Sequence, residues 1–340
     1  MTGLVIGFTY DLKDDYLSEG FGELEVAEFD TTETIFGIRD ALESLGHKVI
    51  LIGNAKALLK RLLNQERWDL VFNICEGLRG FGREAQVPAM LDIFDIPYVF
   101  SDPLVMSLTL HKGMTKRIIR DLGIPTAPFE VVHNISDIDS VNLPYPLFVK
   151  PVAEGTGKGI ASDSKVNSKE ELTKVSGRLL ETFQQPVLVE TFLPGRELTV
   201  GIIGTGNKAR VIGMMEVHWT NQETSGIYSY HTKANYKGVV EYSVPEADLY
   251  VRCAEVALNS WKGLGCCDGG RIDVRLDARG IPNFLEVNPL AGLNYIHSDL
   301  PILAEKAGIG FVELIGMIVQ SALERVRSQD SNSGHHSPKL

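Results

Sequence analysis

Across its first hundred residues the chain repeats one pattern, a short apolar run followed by an amphipathic stretch and then another apolar run. "LVIGF" precedes "TTETIFGIRDALESLG", "HKVILIG" precedes "NAKALLKRLLNQ", and "WDLVFNI" precedes "EAQVPAMLDIFD" and the short "IPYVF". Near-continuous apolar runs suit strands buried on both faces, and apolar residues at helical spacing between them suit crossover helices. The first helix opens on Thr/Glu capping chemistry and closes at Gly46. Regular alternation of this kind predicts a parallel sheet covered on both faces, an open doubly wound lobe.

The character changes from "HKGMTKRIIRDLGIPTAPFEVV" onward. One helix stops at Gly123 with Pro125 beyond it, and then "YPLFVKP", "VLVETFL", "ELTVGIIG" and "ARVIGMMEVHW" bring strands close together with few helices between them. That spacing predicts antiparallel sheet. An amphipathic helix, "VPEADLYVRCAEVALNSWKGLG", precedes the strand pair "GRIDVRLD" and "IPNFLEVN", and "ELIGMIVQSALERVRS" is a closing helix. Residues 329–340 are polar and predict a frayed tail. The whole reads as α/β, with 340 residues enough for two or three lobes.

A net charge of -11 argues against a general binder of nucleic acid or anionic membranes. Screening over about 8 Å still lets a few lysines make a local basic pocket. The N-terminal apolar run has no basic segment before it, so it reads as a strand rather than a signal peptide, and no run approaches the roughly 18 apolar residues that span a bilayer. A cytoplasmic location is expected. Cys75, Cys253, Cys266 and Cys267 sit in apolar surroundings without CxxC spacing, as buried free thiols do.

Three stretches carry chemistry. In "NFLEVNPLAG", Glu286 and Asn288 share one strand face while Leu285 and Val287 share the other. "GRIDVRLD" has the same design, with Arg271, Asp273 and Arg275 on one face. A hairpin connection with an even number of residues sets Asp273 opposite Glu286, and a three-residue loop sets them on opposite faces. Paired carboxylates call for positive charge between them, and magnesium suits oxygen ligands of this kind. Arginine–carboxylate salt bridges on a wet sheet face would give the same pattern.

In "LFVKPVAEGTGKGIA", a strand delivers Lys150, and Gly155, Gly157 and Gly159 alternate around Thr156 and Lys158. Such glycines let backbone amides fold closely over an anion, although a flexible hairpin tip also explains them. It is not a Walker A loop, and strand rather than helix is expected to follow. In "VLVETFLPGRELTV", Glu190 ends one strand and Glu197 begins the next, either as a purine and ribose contact or as two solvated glutamates on an exposed turn. Lys112 and Lys233 are further basic positions.

In order and spacing, "KPVAEGTGKG", "VETFLPGRE", "GRIDVRLD" and "FLEVNPLAGL" resemble the ATP-grasp superfamily, and most closely its D-alanine–D-alanine ligase family. The resemblance implies an N-terminal α/β lobe over 1–111, a central subdomain over 112–193, a C-terminal subdomain over 194–328 and a tail, with ATP gripped between the second and third. It implies that Lys112 and Lys150 hold phosphates under a lid of Gly155, Thr156, Gly157, Lys158 and Gly159. Glu190, Phe192 and Leu193 would meet adenine and Glu197 the ribose. Asp273, Glu286 and Asn288 would bind two magnesium ions, with manganese as an alternative.

Through the same resemblance, Arg271 and Gly292 would stabilise a tetrahedral intermediate, with Thr156 and Lys233 also at the reacting centre, and Ser298 would position the second substrate. The implied activity is ATP-dependent amide bond formation between small amino-acid substrates through an acyl phosphate, in a possible homodimer, with no nucleic-acid or membrane partner. Departures gather around the amino-acid pocket. Glu28 and Asp30 stand in for the family's N-terminal glutamate motif, "CEG" replaces its His-Gly pair, Lys233-Ala234 its Lys-Tyr pair, and Ala291 its proline before Gly292. A ligase for another amino acid or specialised metabolite, and a non-catalytic ATP-binding regulatory protein, are the alternatives.

Overall fold

The computed structural model describes residues 3–219 and 240–333. Strand β1 (Val5–Thr9) is followed by a short helix, α1 (Lys13–Ser18), in the acidic segment, where Tyr16, Val26 and Phe29 make a small separate core. Helix α2 (Thr32–Ser44) starts at Thr31, whose side chain makes no capping hydrogen bond, contrary to the capping chemistry expected there. Strand β2 (Lys48–Gly53), α3 (Ala55–Leu63), β3 (Leu70–Asn73) and α4 (Gln86–Ile93) complete the lobe. The sheet is parallel in the order β2-β1-β3. Ile6 and Phe8 pack on Ile35, Ile38 and Leu42 of α2, and Ile52, Trp68 and Val71 pack on α3 and α4, so both faces are covered as the alternation requires.

The expected strand "IPYVF" is reduced to one bridge, Val71 to Tyr98. The reason is local: Phe100 takes a left-handed φ of 72°, which turns the chain out of the sheet, and Asp102 then caps α5 (Pro103–Leu110). Helix α6 (Lys112–Asp121) follows at once.

The rest of the chain forms two antiparallel sheets facing each other. The first holds β4 (Phe129–Val132), β5 (Leu147–Pro151), β6 (Lys165–Val166) and β7 (Val187–Thr191) in the order β4-β7-β5-β6, backed by α7 (Lys169–Phe183). The second holds β8 (Glu197–Ile203), β9 (Arg210–Trp219), β10 (Val240–Ser243), β11 (Gly269–Leu276) and β12 (Pro282–Asn288) in the order β10-β9-β8-β11-β12. Helix α8 (Ala247–Leu264) covers one face of it with the fully buried Trp261. Helices α9 (Asp299–Lys306) and α10 (Phe311–Ser333) join it to the first lobe, since Leu300, Leu303, Ile315 and Ile318 share a core with Ile38 and Phe100. The closing helix continues beyond residue 328, where the polar tail was expected to begin.

Asp268 fastens these parts. Fully buried, it accepts hydrogen bonds from the Phe100 amide (2.9 Å), the hydroxyls of Thr205 (3.2 Å) and Ser321 (3.0 Å), and the Arg325 guanidinium (2.8 Å). Removing one partner of a buried pair strands the other charge, so Arg325→Met should destabilise the protein by about 3–5 kcal/mol. Calorimetry should show a clearly lower melting temperature, and an unchanged one would contradict this role for Asp268.

Candidate functional site

The strands β11 and β12 are joined by residues 277–281, an odd connection that alone would send Asp273 and Glu286 to opposite faces. A bulge at Leu285 reverses this. Val274 faces Phe284, and the next pair is Asp273 with Glu286, then Ile272 with Val287 and Arg271 with Asn288. One extra residue flips the face of everything beyond it. Arg271, Asp273, Glu286 and Asn288 therefore share a face, as the even register would have arranged. Leu285, expected on the apolar side with Val287, instead lines the cleft beside Glu286.

That cleft lies between the two antiparallel sheets and takes in about 960 Å³ including its open mouth. From the second sheet come Glu197, Thr199, Arg271, Asp273, Arg275, Leu285 and Glu286; from the first come Phe148, Lys150 and Glu190, with Phe192 and Leu193 at the strand end. Asp273, almost fully buried, accepts from Thr199 Oγ1 (3.0 Å) and Arg271 (2.7 Å), and Arg271 also meets Asp299 (3.3 Å). Glu286 lies 3.7 Å from the Lys112 ammonium, which donates to the Glu154 carbonyl at 2.7 Å. Glu197 pairs with Arg275 at 2.9 Å. Phe192 donates its amide N–H to the Pro146 carbonyl (3.0 Å), and the Arg275 guanidinium lies over its ring.

Glu190 is not on an exposed turn. It is 2% exposed and held between Lys116 and Lys150, each 2.8 Å away. Burial pushes its carboxyl up, but the two ammonium groups win and hold it down at about 2. Burial likewise pulls on Lys150, which Glu190 and Glu286 nevertheless keep above its usual value. Lys112 ends below its usual value, lowered by burial and by Lys150 against the opposing Glu286. It also opens α6, where the helix dipole disfavours a cation and favours an anion. A bound polyphosphate would relieve both. Lys116 was not singled out from the sequence; its spacing of four from Lys112 on one helix was the available signal.

The glycine loop bends through left-handed residues, Thr156 (φ 52°), Gly157 (φ 73°) and Gly159 (φ 77°). A β-branched residue there is an outlier of the kind that clusters at ligand clamps. A 3-10 turn at Ser162–Ser164 separates the loop from β6. Glu28, from the first lobe, holds the loop: it accepts from the Gly155 amide (2.6 Å), meets Arg83 at 2.8 Å and lies 3.3 Å from Lys158. Lys158 borders the cleft but gives its ammonium to Glu28 and Glu154.

A second cavity, about 2010 Å³ including its open mouth, continues from the first. Glu28, Asn288, Gly292 and Ser298 line it. Gly292 passes so near Ser298 that a Cβ would lie 2.8 Å from its hydroxyl. Lys112, Gly155, Thr156, Arg271 and Asp299 border both cavities and mark their junction. Lys233 lies outside the described residues.

The family model for the D-ala D-ala ligase C-terminus matches residues 118–320. A D-alanine–D-alanine ligase of Aquifex aeolicus is 35% identical over 286 residues, covering 83% of this chain and 92% of its own length. The chain belongs to the D-alanine–D-alanine ligase family. The D-alanine–D-alanine ligase of Bacillus anthracis, solved in complex with ATP, shares the fold with a TM-score of 0.69 at 23% identity, over 96% of this chain and 100% of that one. VanG D-Ala:D-Ser ligase of Enterococcus faecalis does so with a TM-score of 0.71 at 20% identity, over 94% of this chain and 100% of that one.

This D-alanine–D-alanine ligase family member carries a further group of carboxylates in its second cavity, Asp30, Glu76 and Glu84 beside Glu28. Burial pushes Glu84 up to about 7, with Glu28 adding to the rise and Arg83 and Lys112 opposing it; burial and Asp11 push Asp30 up to about 7. An acid whose folded value is raised gives up stability as pH climbs from its unfolded value, 4.5 for Glu84 and 3.8 for Asp30, to its folded one. The ligand-free protein should therefore lose stability between about pH 4 and 7, and Glu84→Gln should melt higher than wild type at pH 8 but not at pH 4. Equal differences at both pH values would contradict the assignment.

Proposed function

We propose that the protein is an ATP-dependent carboxylate–amine ligase that makes a dipeptide-like amide bond through an acyl phosphate. One observation carries this reading: a cleft that brings Lys112, Lys150, Lys158, Arg271 and Arg275 together with carboxylates opens, at Lys112, Thr156 and Arg271, into a separate cavity large enough for amino acids. Among the described residues, phosphates in the first can meet a carboxylate in the second only there. Lys112, Lys150 and the amides of Gly155 to Gly159 would hold the phosphates, the amides closing over them. Glu190, kept ionised by Lys116 and Lys150, is an acceptor for an amino group on a purine edge, and Glu197 for ribose hydroxyls.

Asp273, Glu286 and Asn288 fit magnesium. They are hard oxygen donors on one face, and one or two carboxylates with substrate phosphates is its usual set. Each carboxylate now leans on a cation, Arg271 or Lys112, so the pair already requires positive charge around it. When bound, the ion would neutralise charge on the transferring phosphoryl group. A substrate carboxylate oxygen then attacks the γ-phosphorus as the bond to ADP breaks. An amine attacks the acyl carbon, and phosphate leaves. Arg271 and the Gly292 amide, which both line the second cavity, would receive the oxyanion of that second step, and preorganised donors of this kind supply much of the rate.

A panel of D- and L-amino acids, followed by ADP release and by mass of the product, tests this. Amide product formed one-to-one with ADP is expected. Tight ATP binding without turnover on any amino acid would favour a regulatory protein instead.

A further inference from the structure

The second cavity holds more negative charge than one simple amino acid can balance, and the second substrate, which must react as a neutral amine and brings a carboxylate of its own, adds no net cation. Of its carboxylates, Glu28 is matched by Arg83, Lys158 and the Gly155 amide. The other cations bordering the cavity are engaged too, Lys112 near Glu286 and Arg271 with Asp273 and Asp299. Glu84 is 8% exposed, lines the cavity and has no hydrogen-bond or ion-pair partner among the described residues; Glu76 likewise has none. Burial raises both carboxyls; at Glu76 the charges of Glu84, Glu28 and Asp30 add to the rise, and at Glu84 that of Glu28 does. A buried carboxylate such as Glu84, left facing open space beside the half-buried Glu76, calls for a cation.

An amino acid with an uncharged side chain brings one ammonium, and its own carboxylate must point away to the junction where the phosphoryl group arrives. We infer that the amino acid in this cavity carries a second, cationic amine on its side chain, received by Glu76 and Glu84. This rests on the ligase reading and narrows its substrate to diamino acids. No covalent step differs: the same carboxylate is activated, and the side-chain amine stays protonated and bound.

The test compares each diamino acid with its uncharged isostere on the purified full-length enzyme with ATP and magnesium, lysine against norleucine and ornithine against norvaline, in both stereochemical series. The charged member of each pair should show a kcat/KM higher by at least about tenfold, because a site built for a polar group rejects the analogue lacking it. Glu76→Gln and Glu84→Gln should each move that ratio toward one, with their melting curves confirming a folded protein. Calorimetric titration of wild type with the same pairs in the presence of ADP should show the same preference, and it decides the matter should a variant not fold. Turnover on alanine or norleucine equal to that on lysine would overturn the inference and leave the ligase reading standing. Absence of amide product from every amino acid would remove the ligase reading; the inference would then stand or fall on the calorimetric preference alone.

Discussion

Glu286→Gln should abolish turnover, with kcat reduced by at least about a thousandfold, while the melting temperature stays close to that of wild type. The size follows from what the carboxylate is proposed to hold, a metal ion stabilising the charge that moves during phosphoryl transfer. The small stability change follows from its surroundings. Its side chain is a quarter exposed, its pairing with Lys112 is at 3.7 Å, and Lys112 keeps the Glu154 carbonyl at 2.7 Å. Glutamine preserves the shape, and a loose partly exposed pair contributes no more than about 1 kcal/mol. Activity within a few-fold of wild type would remove Glu286 from the metal set, and a large loss of stability would make it structural.

Arg271→Met should fail in both respects. Arg271 sits 2.7 Å from Asp273 and 3.3 Å from Asp299, all three largely buried, so its removal takes a shared cation from two carboxylates. Breaking such an arrangement costs about 3–5 kcal/mol. Losing the cation proposed to face the developing oxyanion should lower kcat by roughly a hundredfold to a thousandfold. The two effects are separable. Adding Asp299→Asn to Arg271→Met should recover part of the melting temperature and none of the turnover, whereas Arg271→Lys keeps charge without the planar fork and should restore stability more than rate. Recovery of turnover in the double variant would show that Arg271 serves only the fold.

The alternation of apolar runs and amphipathic stretches was enough to read the first lobe, because a period is a property of neighbouring residues. The later crowding of strands was likewise legible as antiparallel sheet. What escaped depends on contacts between distant residues or on one backbone irregularity. The bulge at Leu285 carries no composition signal, yet it decides whether Asp273 and Glu286 meet. Glu190 reads as a turn glutamate until the fold brings Lys116 and Lys150 to it from two other elements. Asp299 stands next to Ser298 in sequence, but its pairing with Arg271 is a product of the strand-to-helix crossing. Glu28 reaches the glycine loop across 127 residues, and no local pattern could have predicted that it fixes the loop through the Gly155 amide. The acidic second cavity is assembled the same way, from residues 28, 30, 76 and 84.

The central claim is that a substrate carboxylate is activated by phosphate at the junction between the two cavities. Turnover with an amino acid labelled with oxygen-18 in its carboxylate measures this directly, by the mass of the phosphate released. An acyl phosphate that is resolved by attack of an amine delivers one labelled oxygen to each phosphate. Unlabelled phosphate accompanying amide formation would contradict the account, because the oxygen would then have come from water and the carboxylate would never have been phosphorylated.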